Sequence, residues 1–380
     1  MRANARGPRS MKPSSPSAAG GRPIAILAGI LTNAAASLFP AYFAVVMATG
    51  VVSIAARLLG LAPIAWALLA LNLVFYAVLW LLTLIRVVRH PGRILADLVD
   101  HARGPGFFTL VAGTCVLGTQ LVLVAGARDA ARLLWVLGLI LWFAVMYAFF
   151  MAVTIRREKP DLETGINGAW LLAAVATQSA SVLGALLAPD FAVREIVLFV
   201  ALCMYFLGCL LYLSIITLIF YRLTFIRLTT MEMTPPYWIN MGAVAITTLA
   251  GSTLILNAGG APLLGEIVPF LKGFTLFFWT AATWWIPLLL ALMVWRHAVR
   301  RHPLRYDPQF WGLVFPLGMY TTGTLRLSQA LDLPFLVVIP HVFIVIALLA
   351  WLATAAGLSL TILRGVRRAF TARGALEGPP

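Results

Sequence analysis

Groups able to serve as nucleophile, general base or metal ligand are few in this chain, and their spacing argues against catalysis. Cys115, Cys203 and Cys209 all lie inside apolar runs, while His90, His101, His297 and His302 fall in basic links between such runs. No His or Cys residues pair at metal spacing, and there is no nucleophile elbow or glycine-rich phosphate loop. A membrane-embedded enzyme is set aside on that ground, and neither a metal nor a cofactor is expected. The informative polar residues are neutral. Thr49, Thr114, Gln178, Ser181, Thr248, Ser252 and Thr322 recur inside apolar stretches. Lipid offers hydroxyls and amides no partner, so such groups must face another helix or water, and these seven are the expected lining of a wet path. A second cue is the step Phe315-Pro316. Proline inside a helix removes one backbone hydrogen bond and bends it, which can turn Phe315 toward that path. A phenyl ring there would block passage by bulk and by dewetting.

The elements that must position these residues are membrane helices. Of 380 residues, 62% are hydrophobic and 11% charged, against roughly 45–50% and about 25% in soluble domains. A soluble globular enzyme is thereby excluded. Runs long enough to cross a bilayer fall near 39–60, 64–88, 107–126, 133–153, 167–188, 193–221, 236–257, 267–295, 309–331 and 335–363. The expected fold is an all-α membrane protein of ten transmembrane helices in five hairpins. Residues 1–35 read as a disordered basic tail ending in an interfacial helix, 36–364 as the ten-helix domain and 365–380 as a cytoplasmic tail. The stretch 24–38 imitates a secretory signal, but its leader is long and its apolar core short. Formal charge is +15, and 22 of the 28 Lys and Arg residues fall in the two tails and in the links after even spans. That side is cytoplasmic by the positive-inside rule. Both termini are then cytoplasmic, the basic excess requires no nucleic-acid partner, and a multi-pass protein of a bacterial inner membrane is expected.

Odd and even spans differ in kind. Odd spans hold 23 Ser, Thr, Asn and Gln among 109 residues and even spans 10 among 133; glycine divides 12 to 4. The odd helices therefore belong inside, where polar groups find partners and glycine lets backbones approach. Odd spans recur every 60–73 residues, so five hairpins closing into a ring, odd helices around a central pore and even helices outside, is the expected arrangement. A solid bundle whose hydroxyls bond back to their own helix is the competing one.

Three segments carry a family resemblance: Phe39-Pro-Ala-Tyr-Phe-Ala-Val-Val-Met-Ala-Thr-Gly-Val-Val-Ser53, Pro235-Pro-Tyr-Trp-Ile-Asn-Met-Gly242 and Phe310-Trp-Gly-Leu-Val-Phe-Pro-Leu-Gly318. The chain, from about residue 36 to 364, resembles the tellurite-resistance/dicarboxylate transporter family, which includes plant slow anion channels, malate permeases and sulfite exporters. The resemblance implies five hairpins around a pore, a homotrimer, small-anion cargo, and an occluding phenylalanine that falls on Phe315. One departure is Trp170-Leu-Leu-Ala-Ala174, where many members carry a proline shortly after the tryptophan.

Anion passage needs positive mouths and a path free of fixed negative charge. No Asp or Glu lies deep in an odd span. Arg57 and Arg326, near the outer ends of spans 1 and 9, are candidates for an external basic funnel, although Arg326 could equally snorkel or pair with Asp332. Only His341 offers a titratable imidazole within a span. The expected function is a passive channel or facilitator for a small anion (C4-dicarboxylate, sulfite, nitrate, chloride or a tellurite-type oxyanion). A proton-coupled malate symporter or sulfite exporter is the alternative, and a scaffold without transport would not need the odd/even contrast.

Overall fold

A computed structural model describes residue 29 and residues 31–374. Most of the expected N-terminal tail and the last six residues lie outside the described part. Ten long helices follow in chain order: α1 (Pro40–Leu58), α2 (Ala62–Arg89), α3 (Gly104–Ala125), α4 (Arg128–Ile155), α5 (Gly168–Asp190), α6 (Arg194–Phe225), α7 (Pro235–Leu256), α8 (Pro262–Val299), α9 (Trp311–Leu331) and α10 (Val338–Gly374). No strand occurs among the described residues. Nine of the ten are long and apolar enough to cross a membrane. The other, α9, has 21 residues, about 30 Å of helix, but its Gly, Thr and Arg residues dilute its hydropathy. α10 runs on to Gly374, so part of the stretch expected as a tail is helical.

Burial separates the two sets of helices as their polarity does. The most apolar windows of α1, α3, α5 and α7 are 78–94% buried, those of the even helices only 22–44%. The outward faces of the even helices carry bare Phe, Leu, Val and Trp, among them Val74, Phe143, Phe277 and Leu349, as a lipid-facing surface requires. Inner helices pack in the closed order α1, α3, α5, α7, α9 and back to α1, and each even helix lies chiefly on the inner helix that precedes it in the chain.

The repeat shows locally too. Each inner helix opens with a 3₁₀ turn: Pro40–Phe43, Gly104–Phe107, Gly168–Leu171, Pro235–Trp238 and Pro308–Phe310. Four of the five place proline in the first two positions, where its missing N–H has no intrahelical acceptor to lose. In the fifth, the Asn167 side chain accepts from the Ala169 N–H at 2.8 Å. The opening turns press together. A Cβ on Gly106 would lie 2.8 Å from the Ala41 nitrogen, and one on Gly168 would lie 2.2 Å from the Pro236 carbonyl oxygen.

Hydrogen bonds fasten the outer helices to the ring. Trp351 Nε1 donates to Thr49 Oγ1 at 3.0 Å, Trp142 Nε1 to Thr177 Oγ1 at 2.8 Å and Trp279 Nε1 to Thr324 Oγ1 at 2.9 Å. Serine hydroxyls act in the other direction, Ser53 on the Ala65 carbonyl and Ser181 on the Ala201 carbonyl, each at 2.7 Å. Such bonds contribute roughly 0.6 kcal/mol each in a bilayer.

Candidate functional site

Two cavities lie in line inside the ring. The larger, about 300 Å³, opens among the 3₁₀ turns at the end that carries the basic links. All five inner helices line it, through Ala44 and Met47, Thr109, Leu172, Ile239, and Gly312 with Phe315. The smaller, about 10 Å³, holds roughly one water. Its wall is Val51 and Ile54, Val116 and Thr119, Ser179 and Val182, Ile246 and Leu249, and Met319, again from all five inner helices. On each helix these residues continue one another at intervals of three, four or seven, the spacing of one helical face.

Phe315 ends the large cavity, and Met319, one turn further along α9, lines the small one. The phenyl ring is therefore positioned at the junction of the two and is 1% exposed. Pro316 sits inside α9 against Gly242 of α7, where a Cβ would lie 2.7 Å from Pro316 Cγ. On the α1 side, a Cβ on Gly318 would lie 2.8 Å from Val51 Cγ1, and on the α7 side one on Gly323 would lie 2.8 Å from the Ala245 carbonyl oxygen. Glycine lets α9 approach both its neighbours closely at the level of Phe315.

The seven polar residues expected to line the path touch neither of these two cavities. Thr49 accepts from Trp351, Thr114 bonds Tyr76 at 3.0 Å, Gln178 donates to the Tyr205 carbonyl at 3.0 Å, and Ser181 reaches the Ala201 carbonyl. All four turn outward to even helices. Thr248 and Thr322 donate back to the Val244 and Gly318 carbonyls of their own helices. Ser252 is buried with its hydroxyl unpartnered. None of the seven lines either cavity. The inner-helix hydroxyls that do are Thr109, Thr119 and Ser179, which composition does not separate from the other polar residues of those helices. Each also donates to a carbonyl three or four residues back, which leaves the path a weakly polar wall.

Charge enters at the mouths. Among the residues lining the large cavity, Arg103 carries the sole charge. Asp97 Oδ1 accepts from Arg103 Nε at 2.6 Å, while its Oδ2 accepts from the buried Arg86 Nη2 at 2.5 Å. Of the two guanidiniums that share this carboxylate, Arg103, also 5.2 Å from the Phe39 ring centroid, is the one that lines the cavity. In sequence, Arg103 is one link arginine among several; only its partners single it out. At the other end, Arg57 is exposed on the last turn of α1, and Arg326 donates to Gln329 at 2.9 Å instead of pairing with Asp332. Neither lines the small cavity.

The links around the large cavity are braced. Arg222 donates to the Tyr237 hydroxyl, to the Glu163 carbonyl at 2.7 Å, and pairs with Glu232 at 3.5 Å. Bonds from Thr229 hold the Glu232 carboxyl below its usual pKa. His101 lies on the Trp170 ring, and burial, with Arg156 nearby, lowers its pKa. Among the described residues no group of His, Cys, Asp and Glu could hold a metal ion.

A closed ring of inner helices enclosing axial cavities, sheathed by helices with bare apolar faces, defines a helical membrane protein of the transport class. Residues 37–359 match the sequence profile of the voltage-dependent anion channel family, and the chain belongs to that family. It is 25% identical to an uncharacterized transporter of Methanocaldococcus jannaschii over 293 residues, 74% of this chain and 82% of that one. It is 24% identical to a sulfite efflux pump of Trichophyton rubrum over 345 residues, 84% and 89% of the two chains. An uncharacterized membrane protein of Mycobacterium tuberculosis is 40% identical over 144 residues, 38% of this chain and 73% of its own. The family supports a role in membrane anion transport.

Proposed function

We propose that this protein is a passive channel or facilitator for small anions, in which the path runs along the axis of the ring and Phe315, set by Pro316, closes it. The observation that carries this reading is that Phe315 ends the cavity at the basic end while Met319, one turn on, lines the small one, on walls that carry no carboxylate. A weak, neutral wall suits passage because nothing along it binds an anion tightly, while Arg103 raises its local concentration at the entrance. Sulfite is included among the cargo tested because a relative is named a sulfite efflux pump, beside chloride, nitrate, malate and tellurite. His341 Nδ1, on the outer helix α10, donates to the Val337 carbonyl in the turn just before that helix, which supports uncoupled passage over proton-coupled symport.

In the same reading, residues 36–364 form one transport domain in a bacterial inner membrane, with both termini cytoplasmic. The homotrimer that the family resemblance implies belongs to this proposal too, and the mass of the purified particle tests it. The test of function is flux of that anion panel into liposomes for wild type and Phe315→Ala. Removing the ring is expected to lower the barrier by at least 1.4 kcal/mol, on the order of tenfold in flux. Equal flux from equally folded samples would remove Phe315 as the gate; no anion flux from either would remove the transport reading.

A further inference from the structure

A third cavity, about 280 Å³, lies outside the ring, between the last turn of α8 and the start of α9. Arg296 and His297 line it from α8, and His302, Arg305, Tyr306 and Asp307 from the link. Thr234 and Gln309 line both this cavity and the large axial one. Three features set it apart from an ordinary solvated link. Arg296 Nε and the Tyr306 hydroxyl are buried donors without a partner, although buried donors are almost always satisfied. Tyr306 cannot swing away to find one, because its ring fills the space over Gly357 of α10, where a Cβ would lie 2.6 Å from the ring. And the single acid of the pocket, Asp307, spends one oxygen on the Gln309 N–H at 2.8 Å to cap the opening turn of α9.

We propose that this pocket is a second anion site, built for a phosphate-class oxyanion and separate from the transport path. Two arginines and two histidines lining one space, Arg296 with its Nε unspent while one Nη holds the Met233 carbonyl, provide several charge-assisted donors, a set that suits a tetrahedral oxyanion with several acceptor oxygens better than a spherical halide. The site follows from orphaned donors and geometry and does not require the cargo to be known.

The histidines link occupancy to protons. His297 Nδ1 lies 2.9 Å from the His302 carbonyl, so it carries the hydrogen and neutral His297 has only a lone pair at Nε2. Protonation is what lets that nitrogen donate. The cations facing His302 are Arg296 and His297 from α8 and Arg305 from the link; Asp307 opposes them, and the α7 side contributes only Thr234 and Pro235. Burial and the charges of Arg296 and His297 keep the His302 pKa low while the pocket is empty. A bound anion favours the protonated His302 ring, so its affinity rises as pH falls.

Phosphate of this chemistry could come free from the cytoplasm or from a lipid headgroup at the interface. The probe is inorganic phosphate, titrated by calorimetry into full-length protein in uncharged detergent at pH 6 and pH 8, with chloride holding ionic strength constant. Saturable phosphate binding is expected, and sulfate, whose charge does not change between the two pH values, is expected to bind several-fold tighter at pH 6. The double variant Arg305→Gln, His302→Asn is expected to weaken phosphate binding about tenfold or more, the loss of at least one charge-assisted bond, while Arg103→Gln leaves it unchanged. A parallel arm compares lipid that copurifies with wild type and with the double variant. Phosphatidylglycerol retained by wild type and lost from the variant supports the site with lipid as its source. Phosphate binding that disappears with Arg103→Gln and persists in the double variant would place the anion in the axial cavity and overturn the proposal. So would the absence of both phosphate binding and variant-sensitive lipid. The anion flux of each sample, measured alongside, reports separately on the transport reading.

Discussion

Gly242 on α7 lies against the pyrrolidine of Pro316 on α9, so close that a Cβ at 242 would sit 2.7 Å from Pro316 Cγ. Both are fully enclosed by the ring, and Pro316 fixes the turn that carries Phe315. Gly242→Ala is expected to cost about 1–3 kcal/mol by overpacking, read as a lower midpoint in thermal unfolding. If Phe315 closes the axis as proposed, displacing it loosens that closure, and flux in liposomes is expected to rise. An Ala variant with lowered stability and unchanged flux would detach Gly242 from the gate.

Arg103 and Asp97 separate entry from folding. Arg103 is 43% exposed and Arg86 5%, so the two guanidiniums on one carboxylate have different duties. Arg103→Gln is expected to lower flux roughly tenfold at low salt from the basic side, with the defect shrinking as salt screens the charge. Asp97→Ala instead leaves buried Arg86 without its counter-charge, a loss of about 3–5 kcal/mol. Equal salt dependence in wild type and Arg103→Gln would show that Arg103 does not recruit the anion.

Much of this architecture was legible in the sequence, because a bilayer turns fold into arithmetic on apolar length and polarity. The spans, the inward odd helices and the position of Phe315 next to Pro316 follow from that arithmetic together with the family resemblance. The lining residues did not follow. Ser and Thr are enriched in inner helices for two reasons, wet surface and helix-to-helix bonding, and composition sums them. Thr49 and Thr177 serve the second purpose through Trp351 and Trp142; the axis itself is largely aliphatic. Nor could sequence single out Arg103 from Arg89 or Arg93, since the distinction lies in a carboxylate six residues away that two arginines share.

Stability should fall on acidification through His101. Burial first, then the Arg156 charge, depresses its pKa from 6.5. The folded state therefore holds its proton less tightly than the unfolded chain. Stability is then complete above about 6.5, declines as pH falls below that value, and levels off once the folded-state pKa is passed. Thermal unfolding across pH 7.5 to 5, compared between wild type and His101→Gln, checks this. The variant is expected to flatten that limb, and an unchanged limb would assign the acid sensitivity to other groups.

The hydroxyl bonds to outer helices yield a prediction that separates lining from fastening. Ser181 donates to the Ala201 carbonyl at 2.7 Å, and that bond ties α5 to α6 outside the axis. Ser181→Ala removes it without touching either cavity. The expected cost is about 0.6 kcal/mol, a small downward shift in the unfolding midpoint, with anion flux and selectivity unchanged. Ser179, two residues earlier, lines the small cavity and donates to its own helix. Ser179→Ala is expected to do the reverse, changing flux or selectivity at little cost in stability. The pair places the boundary of the path between two serines of one helix, and an altered selectivity in Ser181→Ala would move the path away from the ring axis.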